Sequence, residues 1–257
     1  MALSGAYHQP KATPEMGYAQ DGYDMIVAHG SQFVDAVHNV APDFPDTAFV
    51  ISYAGEEVPQ EPNVAGVAPI NSGALAGAVA AAVSETGKVV MLGGEDTPSI
   101  AELVDMFEPG AKAVDPDITV ETAYIGTLTD ADRAKEVALG YANQGFDVIC
   151  ASANNAGLGV LQAAEEAGIY AIGYNADQYD QAPDAVVVSV LRDFDTMFEN
   201  TFLEIADGTF QAQVYSYDIG DGGVILSDWH GWDEKLPEAK AAVDEFLAAT
   251  KSGELDF

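Results

Sequence analysis

Residues 171–180 read AIGYNADQYD, an apolar run that stops abruptly at a small polar cluster. Tyr174, Asn175, Asp177 and Gln178 carry the chemistry of that stretch. A carboxylate beside amides suits sugar hydroxyls, because the carboxylate accepts from O–H while an amide both donates and accepts. The same residues also make an Asx-turn at a strand end, and the sequence leaves both readings open. Asn154 and Asn155 stand in ANNAGLG, 153–159, where a strand gives way to a helix. One asparagine serves as an N-cap there, and two adjacent ones leave an amide for a ligand. Arg192 ends the apolar run in SVLRD, 189–193. A planar, permanent cation at a strand end pairs with a near neighbour such as Asp193 or Asp195, or grips a ligand.

Catalytic patterns are missing. The four histidines, His8, His29, His38 and His230, have no metal-site spacing. His29 sits in an apolar run and reads either as a satisfied core histidine or as a group facing a site. The Gly157-Leu158-Gly159 pair lacks the third glycine of a dinucleotide loop, since position 162 is Gln162. There is no phosphate loop of the GxxxxGK[ST] type and no GxSxG elbow. Cys150, the single cysteine, follows Val148 and Ile149 and reads as a buried, inert thiol. DPD at 115–117 does not match a calcium loop. These residues point to binding without catalysis, with no metal and no cofactor.

The chain's 9 Lys and Arg stand against 42 Asp and Glu, a formal net charge of −33. Such a surface repels nucleic acid and anionic membrane, which excludes both as partners. The carboxylates are scattered, and 11 Tyr, 11 Phe and many Val supply a core that acidic disordered chains lack. The balance is similar to that of proteins from salt-loving organisms, where a Debye length of about 3 Å at 1 M salt screens the repulsion. No apolar stretch reaches the roughly 18 residues of a membrane span. The N-terminus has no basic region followed by an apolar core, so no signal peptide is read in it.

Positioning these groups is the work of a strand-helix rhythm. Strands are expected at 23–30, 47–55, 64–70, 88–94, 118–126, 146–152, 169–174 and 185–193, with further strand within 211–227. Helices are expected at 31–45 with Ser31 as N-cap, 72–87 closed by Gly87, 99–114 broken or bent at Pro109, 130–145, 156–168, 195–208 and 237–251. Continuous Val/Ile-rich strands alternating with helices predict an α/β fold of two doubly wound lobes with parallel sheets. Ligands in such sheets bind beyond the carboxyl ends of the strands, so the loops after Gly30, Gly94, Ser152 and Tyr174 become the candidate site.

The order of several stretches resembles one family. GYDMIVAHGSQFVDAV, FPDTAFV, PNVAGV, GALAGAVAAAVSETGKVVMLGG, GAKAVDPDITV, YIGTLTDADRAKEVAL, NQGFDVICASANNAGLGVLQAAEEAGIYAIGYNADQ, SVLRD and SGELDF cover most of residues 20 to 257. They resemble the basic membrane protein family, nucleoside-binding lipoproteins that serve ABC transporters. The resemblance implies a type I periplasmic-binding-protein-like fold, with residues 1–87 and 191–212 in an N-terminal lobe and 88–190 and 213–257 in a C-terminal lobe. It implies a nucleoside held in the interlobe cleft, closure that traps it, a transporter permease as partner, and an extracytoplasmic location. By position, GYNADQ corresponds to the family's acidic ribose loop, with Asn175 at the first acidic position and Asp177 at the second. Arg192 stands where the family usually has Lys, and ANNAG replaces a glycine-richer turn. Gln32 and Phe33 fall in the segment that faces the ligand, Phe33 as a stacking surface or as core. The family's opening strand and Asp/Gly-rich loop have no counterpart here, so an incomplete first lobe with exposed sheet edges is expected. A ligand-sensing domain of a regulator, or an enzyme on a doubly wound fold, are the alternative functions.

Overall fold

A computed structural model describes residues 2–4, 14–52 and 60–257. The chain divides into two compact units, 1–70 with 193–217 and 71–192 with 218–257. The first stretch holds β1 (Ala2–Ser4), α1 (Pro14–Gln20), β2 (Met25–His29), α2 (Val34–Val40), β3 (Ala48–Ser52) and β4 (Val64–Pro69). The second holds α3 (Ser72–Val83), β5 (Lys88–Gly93), α4 (Pro98–Val114), β6 (Thr119–Tyr124), α5 (Ala131–Ala142), β7 (Val148–Ser152), α6 (Gly157–Ala167), β8 (Tyr170–Asn175) and β9 (Val186–Arg192). The chain then returns to the first unit with α7 (Phe194–Ala206) and β10 (Val214–Tyr217). It ends in the second with β11 (Val224–Leu226), α8 (Trp232–Lys235) and α9 (Pro237–Ser252).

The first unit's sheet runs β1-β2-β3-β4-β10, every pair parallel. The second unit's sheet runs β11-β9-β8-β7-β5-β6, parallel except for β11, which returns antiparallel along β9. Strands β2, β3, β4, β5, β7, β8 and β9 carry the continuous apolar runs, and helices cover both faces of such strands, as the composition predicts. The edge strand β6, TVETAY, is largely exposed and carries Glu121, a charge that discourages pairing with another chain.

The unit limits differ from those expected at three places, residues 71–87, 191–192 and 213–217, and Arg192 falls in the second unit rather than the first. Residues 71–87 belong with the second unit, because α3 packs on α4 through small residues. A Cβ on Gly77 would lie 1.9 Å from the Phe107 carbonyl oxygen, and one on Gly110 would lie 1.9 Å from that of Ala74. The two helix backbones therefore touch. β10 belongs with the first unit, because Val214 to Tyr217 pair with Gly66 to Pro69 of β4. α4 also runs unbroken through Pro109. Pro109 lies on the exposed side, and the buried Phe107 and Ala111 around it hold the helix against its neighbours. The helix expected at 31–45 is divided: 3-10 turns at Ser31–Phe33 and Ala41–Asp43 flank α2, whose N-cap is Phe33 rather than Ser31. Residues 53–55 of the expected second strand lie outside the described residues, and α1 has no counterpart in the sequence reading.

Candidate functional site

Six of the eight candidate residues lie in the second unit, after the carboxyl ends of three adjacent strands. Asn154 and Asn155 follow β7, Tyr174 and Asn175 end β8 with Asp177 just beyond, and Arg192 ends β9. Tyr174 is buried at 4% exposure, so its ring is no stacking surface for a ligand. Its hydroxyl shares a 2.7 Å hydrogen bond with Ser72 Oγ, at the first residue of α3. The Arg192 guanidinium lies over the Tyr174 ring at 4.9 Å and donates to the same Ser72 Oγ at 3.5 Å. Burial pushes the Tyr174 phenol well above its usual range, against the pull of Arg192 and the Ser72 hydrogen bond. The structure thus brings Tyr174 and Arg192 together around Ser72, a residue the sequence reading missed. A cation stacked on a buried ring has few rotamers left, so the Arg192 guanidinium is held in place at the end of β9.

The loop after Tyr174 is clamped from below. The Gln178 side chain accepts from the Tyr174 N–H at 2.9 Å, and the Gln178 N–H donates to Ser189 Oγ at 3.0 Å. Ser189 reaches it because Gly173 faces it on β8: a Cβ at Gly173 would lie 2.1 Å from that hydroxyl. Asn175 is exposed and left-handed at φ 69. Asp177, expected to accept from ligand hydroxyls, has both oxygens engaged within the protein. Oδ1 accepts from the Tyr179 N–H at 3.1 Å, and Oδ2 lies 2.7 Å from His230 Nε2.

Asn154 is left-handed at φ 45, and both asparagines are exposed. No side-chain cap bond closes either their 3-10 turn or α6. The capping reading is therefore not what the structure shows, and the two amides face outward. Gln32 and Phe33 lie in the first unit. Gln32 is exposed with its amide over Gly30, while Phe33 is half-buried against the core around Ile26, Phe49 and Ile51. His29, read as a residue inside a strand, is instead the exposed last residue of β2. Its Nδ1 lies 2.9 Å from Ser52 Oγ, and Phe194 stands edge-on at 5.1 Å. Partial burial holds the imidazole below its usual pKa. This serine-histidine pair is no nucleophile and base, because Ser52 is fully buried and already accepts from the Gly30 N–H. Cys150 is fully buried and its thiol is pushed up to about 12, as an inert thiol requires. Among the described residues there is no group of three or more His, Cys, Asp or Glu placed to hold a metal.

Glu102 of α4 accepts from the Asn71 N–H at 3.2 Å, just before α3. Burial raises its pKa, while that hydrogen bond and Arg192 lower it and Asp105 raises it further. A raised folded pKa means that the stabilising neutral form is fully present below the unfolded value and is lost as pH rises through the folded one. Ionised Glu102 therefore costs stability at neutral pH. Glu102→Gln keeps the acceptor for Asn71 and is expected to melt roughly 1–3 °C above wild type at pH 7, with the gap closing near pH 4. A variant that melts below wild type at pH 7 would show that the attraction to Arg192 outweighs burial.

Residues 13–248 match the family model described as Bmp, ABC transporter substrate-binding protein PnrA-like. The chain belongs to the Bmp family. It is 30% identical over 207 residues to the transcriptional activator protein med of Bacillus subtilis (strain 168), covering 80% of this chain. It spans 63% of that relative, under two thirds of its length. It is 29% identical over 244 residues to the ABC transporter nucleoside-binding protein BmpA of Lactococcus lactis subsp. cremoris (strain MG1363), covering 87% of this chain and 68% of that protein. A solved ABC transporter solute-binding protein from Conexibacter woesei DSM 14684 superposes with a TM-score of 0.77 at 26% identity, covering 95% of this chain and 82% of that one. The α/β architecture with parallel sheets is that of type I periplasmic-binding-protein-like structures. The Bmp family is one of solute-binding proteins, and no helix among the described residues is long and apolar enough to cross a membrane.

Proposed function

We propose that the protein is the extracytoplasmic solute-binding component of an ABC importer and binds a nucleoside or similar ribosyl ligand without altering it. The observation that carries this reading is the Arg192–Tyr174–Ser72 cluster at the carboxyl edge of a parallel sheet. Arg192 would donate to ring or hydroxyl oxygens of the ligand. The amides of Asn154, Asn155 and Asn175, which both donate and accept, would read neighbouring hydroxyls. The name of the Lactococcus relative supports a nucleoside as the ligand class. Two candidate nucleophiles are inert, which favours capture over turnover: Cys150 of the second unit is buried with a raised pKa, and Ser52 of the first unit is buried and engaged. A transporter permease would be the partner that receives the ligand.

Thermal unfolding against a panel of nucleosides, free bases, sugars and amino acids tests the ligand class. A ligand at a hundred times its Kd stabilises by about 2.7 kcal/mol. The expected result is a rise in Tm with at least one nucleoside and none with its free base. A cooperative transition that no nucleoside moves would overturn the nucleoside assignment.

A further inference from the structure

We propose that His230 and Asp177 form a positioning pair that sets the 175–178 turn, so that Asn175 rather than Asp177 meets the ligand. The inference rests on the reading above that this sheet edge binds a ribosyl ligand. His230 lies on the loop between β11 and α8, 53 residues beyond Asp177. Its Nε2 is 2.7 Å from Asp177 Oδ2, and its ring stacks on Tyr179 at 4.2 Å with 16° between the planes. One imidazole thus holds the carboxylate and the ring that follows it two residues later.

Both loops hang from one fully buried residue. Ser189 of β9 accepts from the Gln178 N–H through its hydroxyl and donates its own N–H to Ser227 Oγ at 2.9 Å. Its carbonyl accepts from the Ser227 N–H at 2.9 Å. Beyond Ser227, the buried rings of Trp229 and Trp232 anchor the histidine loop. His230 itself is left-handed at φ 51, and its N–H donates to Asp228 Oδ1 at 2.6 Å. A left-handed non-glycine residue is strained and persists where its surroundings over-determine it. Here the strained residue is the one that reaches Asp177. At the other end of the turn, Asn175 is left-handed too, exposed, and still in register opposite Leu191 at the sheet edge. Each Asp177 oxygen already holds a partner inside the protein, whereas the exposed Asn175 amide has donors and an acceptor to offer a ribose.

The experiment pairs a ligand-free readout with an affinity. Backbone amide exchange of 175–181 and the Kd for guanosine are measured on wild type, Asp177→Ala, His230→Phe, His230→Gln and Asn175→Ala. Phenylalanine keeps the stack on Tyr179 and loses the donor, while glutamine keeps a donor at the reach of Nε2. Expected are about tenfold faster exchange in Asp177→Ala and His230→Phe, recovery in His230→Gln, and no change in Asn175→Ala. For guanosine, Asn175→Ala weakens binding more than Asp177→Ala does, and Asp177→Ala with His230→Phe is no weaker than either alone. Unchanged exchange in His230→Phe would overturn the pair whether or not any nucleoside binds. Loss of guanosine binding in Asp177→Ala with unchanged exchange would instead make Asp177 a direct ligand contact. Absence of guanosine binding in wild type counts against the ligand reading alone, since the exchange arm still decides the pair.

Discussion

Gly77→Val is expected to lower the melting temperature by on the order of 10 °C or to abolish the cooperative transition of the second unit. α3 offers no direction for relief, because Ser72 to Ala81 are all buried. At Gly77 a Cβ would meet the Phe107 carbonyl oxygen at 1.9 Å and the Ala111 nitrogen at 2.8 Å, and at Gly73 the Leu103 carbonyl oxygen at 2.1 Å. These are backbone atoms of α4, so no rotamer change clears them. Removing a helical glycine gains about 1 kcal/mol or less of propensity. Forcing two close-packed helices apart costs about 3 kcal/mol or more at the upper end of overpacking, so the clash wins. Ala82→Val, at a half-buried position of the same helix, should shift the transition far less. Circular dichroism melts of the two variants decide the point, and a Gly77→Val protein melting within about 2 °C of wild type would show that the helices separate cheaply.

Salt is expected to act as strongly. In KCl raised from 0.1 to 2 M the melting temperature should climb by on the order of 15 °C, because self-repulsion is the term being screened. Nine cationic side chains face 42 carboxylates. Among the described residues Glu15 is the only fully buried carboxylate, and lysine pairs with carboxylate at three places, to Glu108, Glu166 and Asp244. Most of the negative charge is therefore exposed and uncompensated. A neutral osmolyte favours burial without screening charge, so equal stabilisation by sucrose and by KCl would contradict the electrostatic origin. A melting temperature flat in KCl would do the same.

The sheets were legible because doubly covered strands leave long apolar runs such as VVML and AVVVSV, which periodicity and composition mark without any partner. What failed were the places where a neighbour overrides local propensity. Pro109 reads as a helix breaker, yet packing of Phe107 and Ala111 carries α4 through it. The affiliation of α3 was hidden because glycines at 73 and 77 signal close approach without naming the partner. In the site, Arg192 and the turn after Tyr174 announced themselves as polar groups ending apolar strands. Ser72 did not, since its role depends on where the first turn of α3 meets β8 and β9. His230 was equally hidden, because β11 turns back antiparallel along β9 before delivering it to Asp177. Glu102 shows the same limit: nothing near it in sequence predicts a carboxylate accepting from Asn71.

The most direct test of the central claim is a calorimetric titration of guanosine, adenosine and inosine into the folded protein in about 2 M KCl, repeated with Arg192→Ala and Arg192→Lys. The account predicts saturable one-site binding of at least one nucleoside to wild type, weakened about tenfold or more by alanine and partly restored by lysine, a tenfold change being about 1.4 kcal/mol. No saturable heat from any of the three, or an affinity indifferent to alanine at Arg192, would contradict it.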